Sequence, residues 1–240
     1  MEQKIQTKSN SKIIDNGKLI KTLLVFICYF LYSNITSIIL STFKVTNTTL
    51  VSFVADILFL IGIVFAYRNN LKSDLETLKK DYSIVKIVKT VVAWVVIIFI
   101  FNILMGALTE VLFPNLAVDD NTNAITSLSN ISTLYTIFKT MIFAVIAEEL
   151  LFRESIGDVI KNKPIFLIVT ALVYSLTNFV FVGFKADFNL MYILMYFLPA
   201  LLFSAAYVKN KNNVIILMLI KFFYNLIPLI ILLFELYNKI

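Results

Sequence analysis

Residues 134–156 read LYTIFKTMIFAVIAEELLFRESI. Two carboxylates, Glu148 and Glu149, and one guanidinium, Arg153, lie in a run otherwise apolar enough to cross a bilayer, which takes about 20 residues. Charges in such a segment are expensive and mark a functional site by default. The run therefore sets two expectations. The chain folds as a bundle of membrane helices, and the bundle carries a polar site at residues 148–153.

The rest of the chain agrees with the first expectation. Of its 240 residues 60% are hydrophobic and 15% charged, with a mean hydropathy of +0.89. Soluble domains carry about 45–50% apolar and about 25% charged residues. Apolar runs of spanning length occur at Leu19–Leu40, Leu50–Tyr67, Ile87–Leu112, Leu134–Ile156, Ile165–Val182, Leu190–Val208 and Val214–Leu236. Pro228 would split the last if it breaks the helix, since proline removes a helix hydrogen bond. The expected fold is all-α, a polytopic membrane helix bundle of seven or eight transmembrane helices. It forms a single domain over residues 19–240, after a basic lead at 1–18. The first run follows a long mixed-charge lead and reads as a retained span, not a signal peptide. Cys28 is the single cysteine, so no intramolecular disulfide is possible.

Lysine and arginine alternate between the two sides. The lead holds Lys4, Lys8, Lys12 and Lys18; later basic loops hold Arg68, Lys72, Lys79, Lys80 and Lys86, then Lys161 and Lys163, then Lys209 and Lys211. The loops between them are poor in both residues, and one carries Asp119 and Asp120. This alternation places the N-terminus in the cytoplasm. Seven spans leave the C-terminus outside; eight return it.

Glu149 and Arg153 are four apart with the acid first, the favourable order for an ion pair on one helix face. Glu148 is turned about 100° away. The simplest division has Arg153 hold Glu149 and leaves Glu148 free to act. Tyr174 and Asn178 are four apart on a later span, and Lys221 and Asn225 are four apart on the last. Lys221 lies roughly 12 Å into its span, at a depth compatible with the glutamates, and is expected to touch them. Asp56, Lys139 and Glu110 read as structural charges, with Lys139 on the face away from Glu148 and within reach of Glu110.

These three places together resemble the CPBP family, which holds type II CAAX prenyl endopeptidases and bacteriocin-processing or immunity proteins and is also called the Abi family. Its members carry EExxxR, then FxxxH, then HxxxN on late membrane helices. Here Glu148, Glu149 and Arg153 keep the first motif. The second reads Tyr174-Ser175-Leu176-Thr177-Asn178, with asparagine for histidine, and the third Lys221-Phe222-Phe223-Tyr224-Asn225, with lysine for histidine. The resemblance covers roughly residues 130–230. It implies a helical intramembrane fold whose active members cleave peptide bonds, with Glu148 activating water helped by the histidine of the second motif, and the histidine and asparagine of the third motif holding the oxyanion.

The chain contains no histidine at all. Zinc takes histidine, thiolate and carboxylate ligands, so no metal or other cofactor is expected beside an asparagine and an ammonium. A glutamate-activated water needs no metal, with Asn178 positioning it and Lys221 and Asn225 donating to an oxyanion. The alternative is a non-catalytic relative acting by binding, such as an immunity or membrane partner protein. Lysine for histidine balances Glu148 and Glu149 against Arg153 and Lys221, as a retired site kept for structure would. The expected partners are the lipid bilayer and an unidentified peptide or membrane protein, with no nucleic acid. Family and composition point to a bacterial cell membrane, where a prenylated substrate is not expected.

Overall fold

The computed structural model describes residues 16–112, 132–182 and 190–238. Among them the structure is helical, without strands. Helix α1 spans Asn16–Thr42, α2 Thr48–Ala66, α3 Arg68–Asp81 and α4 Ile84–Leu112. Helix α5 opens as Thr133–Phe138, continues as π-helical Lys139–Glu148 and Leu150–Glu154, and closes as Ser155–Val159. Helices α6 (Lys163–Val182), α7 (Leu190–Lys209) and α8 (Val214–Tyr237) complete the bundle.

Short polar side chains set the helix starts. The first amides of a helix have no partner within it, and an Asn or Ser just before them supplies an acceptor. Asn47 accepts from the Leu50 amide at 3.0 Å, Ser132 from Tyr135 at 3.3 Å, Asn162 from Ile165 at 3.2 Å and Asn213 from Ile216 at 3.0 Å. Asn47 and Ser132 also belong to the Asn-x-Ser/Thr patterns at 47–49 and 130–132. The hydrogen bonds give both residues a structural reason to be there.

Helices Asn16–Thr42, Thr48–Ala66, Ile84–Leu108 and Val214–Phe234 are long and apolar enough to cross a membrane, and Lys163–Asn178 and Ile193–Lys209 are shorter apolar helices. Their outward faces carry large apolar side chains, among them Ile38, Ile61, Ile103, Leu104 and Phe234. An apolar exterior of this extent needs lipid around it. The chain is thus a multi-pass membrane protein.

The core lies along α5. Phe143, Ala147, Leu150, Leu151 and Phe152 are fully enclosed and pack with Tyr67 and Ile98 and with Ile216, Leu217 and Ile220 of α8. Helix α5 packs on α2 and α8 through its π-helical part, and α6 pairs with α7. The most charged of the expected spans is therefore the most enclosed helix, which is why it tolerates charge that a lipid-facing helix would not.

One expectation changes, and one open alternative is narrowed. The basic stretch after Tyr67 is not a plain loop: residues 68–81 form α3, a polar helix with Lys79 and Lys80 in its last turn. Pro228 does not split the last span, because α8 runs unbroken through it. Proline is tolerated in membrane helices where neighbouring groups satisfy the freed backbone. Asp119, Asp120, Lys185 and most of the lead lie outside the described residues.

Candidate functional site

Helix α5 brings Glu148, Glu149 and Arg153 to α8, and α6 and α7 close the site with aromatic rings. Arg153 Nη1 donates to Glu149 Oε1 at 3.2 Å, and Nη2 reaches the Ala200 carbonyl at 3.4 Å. Lys221 Nζ donates to Glu149 Oε1 at 2.6 Å and to Glu148 Oε2 at 2.8 Å. The expected contact between Lys221 and the glutamate pair is present with both members.

Exposure separates the two carboxylates. The Glu149 side chain is 0% exposed and Arg153 1%, whereas Glu148 retains 19%. Glu149 is thus held between two cations with no access, and Glu148 is the member with an accessible edge. It is not free, as the sequence reading had it: one oxygen is held by Lys221. Lysine has the reach to bridge the two acids from α8, and leaving either anion without a counter-charge in this enclosure would be far more costly. Glu149 Oε2 and Arg153 Nε, both buried, have no hydrogen-bond partner among the described residues.

Tyr174 of α6 and Phe203 of α7 face the two cations. The Tyr174 ring centre is 5.0 Å from Arg153 Cζ and 5.6 Å from Lys221 Nζ; for Phe203 the distances are 5.7 and 5.9 Å. Aromatic faces at this range attract cations, more strongly where water is excluded. Phe152 presses edge-on against Tyr174 at 5.0 Å. This clamp was not evident from the sequence, where Phe203 is one of 22 phenylalanines.

The two asparagines are turned elsewhere. Asn178 Nδ2 donates to the Tyr174 carbonyl, 2.8 Å away on its own helix. Asn225 Nδ2 donates to the Thr140 carbonyl of α5 at 2.8 Å, tying α8 to the π-helical segment. One N–H of each is thereby committed to backbone. π-helical turns are rare and frequent at functional sites; here they frame both the glutamates and the Asn225 anchor.

A divalent cation does not fit this donor set. The Lys221 ammonium stands between the carboxylates, where a bridging ion would have to sit. Among the described residues no three His, Cys, Asp or Glu side chains converge to hold a metal.

A second charged cluster lies on α2 and the start of α5. Asp56 accepts from Lys139 Nζ at 2.9 and 2.8 Å, from the Tyr32 hydroxyl at 2.7 Å and from the Tyr135 hydroxyl at 2.9 Å. Lys139 also lies 3.9 Å over the Phe143 ring. The counter-ion of Lys139 is therefore Asp56, not the Glu110 expected from sequence. Asp56 is 2% exposed and carries four donor contacts, which is the satisfied arrangement a buried charge requires.

At the polar end of the bundle α3 docks on α8. Asp74 accepts from the Val214 amide at 2.6 Å, and its carbonyl accepts from Asn213 at 2.8 Å. Burial pushes the Asp74 carboxyl up to about 6, against the opposing pull of the Val214 amide. Nearby, Lys211 pairs with Asp81 at 2.7 Å, which lowers the Asp81 carboxyl and raises the Lys211 ammonium.

Residues 130–227 match the family model described as type II CAAX prenyl endopeptidase Rce1-like. The resemblance read from the three motifs is thus shown for that part of the chain. A Mycoplasma capricolum protein described only as an uncharacterized protein is 27% identical over 197 residues, 79% of this chain. The match covers 56% of that relative's length, so this chain spans little more than half of it. No solved structure matches the chain.

Proposed function

We propose that the chain is an intramembrane peptidase of the CAAX-protease type that hydrolyses a peptide bond with water activated by Glu148, without zinc. One observation carries this reading. Of two adjacent carboxylates, Glu149 is sealed between Arg153 and Lys221, while Glu148 keeps an accessible edge. A general base must reach its proton through one hydrogen bond, and only Glu148 meets that condition. Lys221 holds the second oxygen of Glu148 and so fixes its direction.

The protein crosses the membrane seven times in this reading, with α3 at the cytoplasmic face, the N-terminus inside and the C-terminus outside. The unbroken α8 supports the odd number, and the basic residues of α3 support the side. A bacterial membrane and a peptide or small membrane-protein substrate complete the proposal.

The second reading is a non-catalytic relative that works by binding, as an immunity or partner protein would. It is favoured by the Lys221–Glu148 contact, since a carboxylate oxygen held by an ammonium is not open to accept a proton from water. Glu148→Gln in the native host, compared with wild type and a deletion, separates the two. Membrane and secreted peptides are read by mass spectrometry, with the protein level measured alongside. Under the peptidase reading the variant reproduces the deletion at normal abundance. Under the binding reading it behaves as wild type.

A further inference from the structure

In the cluster as it stands, most polar groups already have partners. Arg153 is committed to Glu149 and the Ala200 carbonyl, and Lys221 to both glutamates. Asn178, at the position of the second motif's missing histidine, is held by its donation to its own helix, and Asn225 by its donation to Thr140, with one N–H of each so committed. A peptidase still needs a donor for the oxyanion that forms when water adds to the carbonyl. Tyr174 carries a hydroxyl where the motif has phenylalanine. That hydroxyl has no hydrogen-bond partner among the described residues, and the residue is half-buried. Its ring is held by Arg153, Lys221 and Phe152 at 5.0–5.6 Å, and the Lys221 ammonium that faces it also holds Glu148 at 2.8 Å, so ring and carboxylate flank one cation. A donor held rigidly before the reaction begins is what oxyanion stabilisation requires.

We infer that Tyr174 is a catalytic residue of this site, its hydroxyl donating to the oxyanion. The inference rests on the peptidase reading above. Water oxygen bonds to the carbonyl carbon and gives one proton to Glu148. The carbonyl π pair moves onto oxygen, where the Tyr174 O–H meets it. The C–N bond then breaks as the carbonyl re-forms, and the proton on Glu148 passes to the leaving amine. Tyr174 keeps its own proton throughout. The chain thus carries on one helix turn both the loss of a histidine, at Asn178, and the gain of a hydroxyl, at Tyr174.

The test begins with membranes of the native host. The probe is the peptide whose processed form disappears in both the deletion and Glu148→Gln. Its turnover is then measured in membranes carrying Tyr174→Phe, Tyr174→Leu or Asn178→Ala, normalised to the amount of each protein. Tyr174→Phe keeps the ring between the cations and removes only the hydroxyl. It is expected to lower kcat by about 10²–10³-fold with little change in KM, the effect of losing one oxyanion donor. Tyr174→Leu also removes the clamp, and it is expected to fall at least as far and to accumulate less. Turnover of Tyr174→Phe within about threefold of wild type overturns the inference while the peptidase reading stands. So does a larger loss in Asn178→Ala than in Tyr174→Phe, which would give the role to the amide. If Glu148→Gln still processes every peptide, the peptidase reading fails and the inference falls with it.

Discussion

Replacing Lys221 by leucine tests whether charge balance holds the bundle together. The cluster contains two anions, Glu148 and Glu149, and two cations, Arg153 and Lys221, joined at 2.6–3.2 Å. Leucine keeps much of the apolar stem and removes the ammonium. Arg153 then faces Glu149 alone, and Glu148 has no described counter-charge. Removing one partner of a buried pair typically costs about 3–5 kcal/mol, because the remaining charge stays desolvated. At 1.4 kcal/mol per tenfold, this raises the unfolded-to-folded ratio by roughly two to three and a half powers of ten. Adding Glu148→Gln to the leucine variant restores neutrality, with one acid and one base left. The double variant is therefore expected to regain more than half of the loss. Reversible unfolding in mixed micelles, followed by circular dichroism, measures both. A single variant within about 1 kcal/mol of wild type would refute the charge argument. A double variant no more stable than the single one would show that the loss is one of packing.

The same reasoning applies to the second cluster. Lys139→Leu leaves the Asp56 carboxylate, 2% exposed, without a counter-charge though with both phenol donors, whereas Asp56→Leu leaves the Lys139 ammonium, whose side chain is 30% exposed, and two phenols. The lysine variant is expected to lose about 3–5 kcal/mol in the micelle assay, and the double variant to lie nearer wild type than Lys139→Leu alone. A third prediction concerns pH at the α3–α8 junction. The Asp74 carboxyl sits at about 6 in the folded protein against an ordinary 3.8, so the folded form is the better proton binder. The stability this adds is full below about 3.8 and is lost as pH rises through about 6. Hydrogen exchange of the α8 start, corrected for its intrinsic pH dependence, should therefore speed up between about pH 4 and 7 in wild type. Asp74→Asn should flatten that trend, and an equally steep trend in the variant would refute the assignment.

Much of the architecture was legible because lipid imposes a simple rule on sequence. A segment that crosses must satisfy its own backbone, so it is helical, long and apolar, and hydropathy alone finds it. The expected runs fall within described helices α1, α2 and α4–α8, save Tyr67, which caps the end of α2. What hydropathy does not reveal is which helix lies inside. The run at 134–156 resembles its neighbours in apolar content, and only its charges mark it as enclosed. Helix α3 was missed for the opposite reason. Its Arg68, Lys72, Lys79 and Lys80 read as topology signals, and a polar surface helix has no apolar run to betray it.

The site shows where spacing stops being informative. Four-residue spacing found the Glu149–Arg153 pair, because both ends sit on one helix and local geometry decides the contact. The choice of Asp56 over Glu110 by Lys139 is a question of which helix α5 packs against, and no periodicity contains that answer. Lys221 falls between these cases. Its depth could be counted along α8, and charge balance gave it a reason to face the glutamates. Yet counting could not say that it would take an oxygen from each. That detail alters the chemistry. An ammonium shared by two carboxylates neutralises the sealed Glu149 and orients the accessible Glu148 in a single contact. The one substitution that most suggests a retired site is thus also compatible with a working one. What points to chemistry is therefore the difference in access between two adjacent glutamates, and the first variant to make is the one that removes the charge of Glu148 alone.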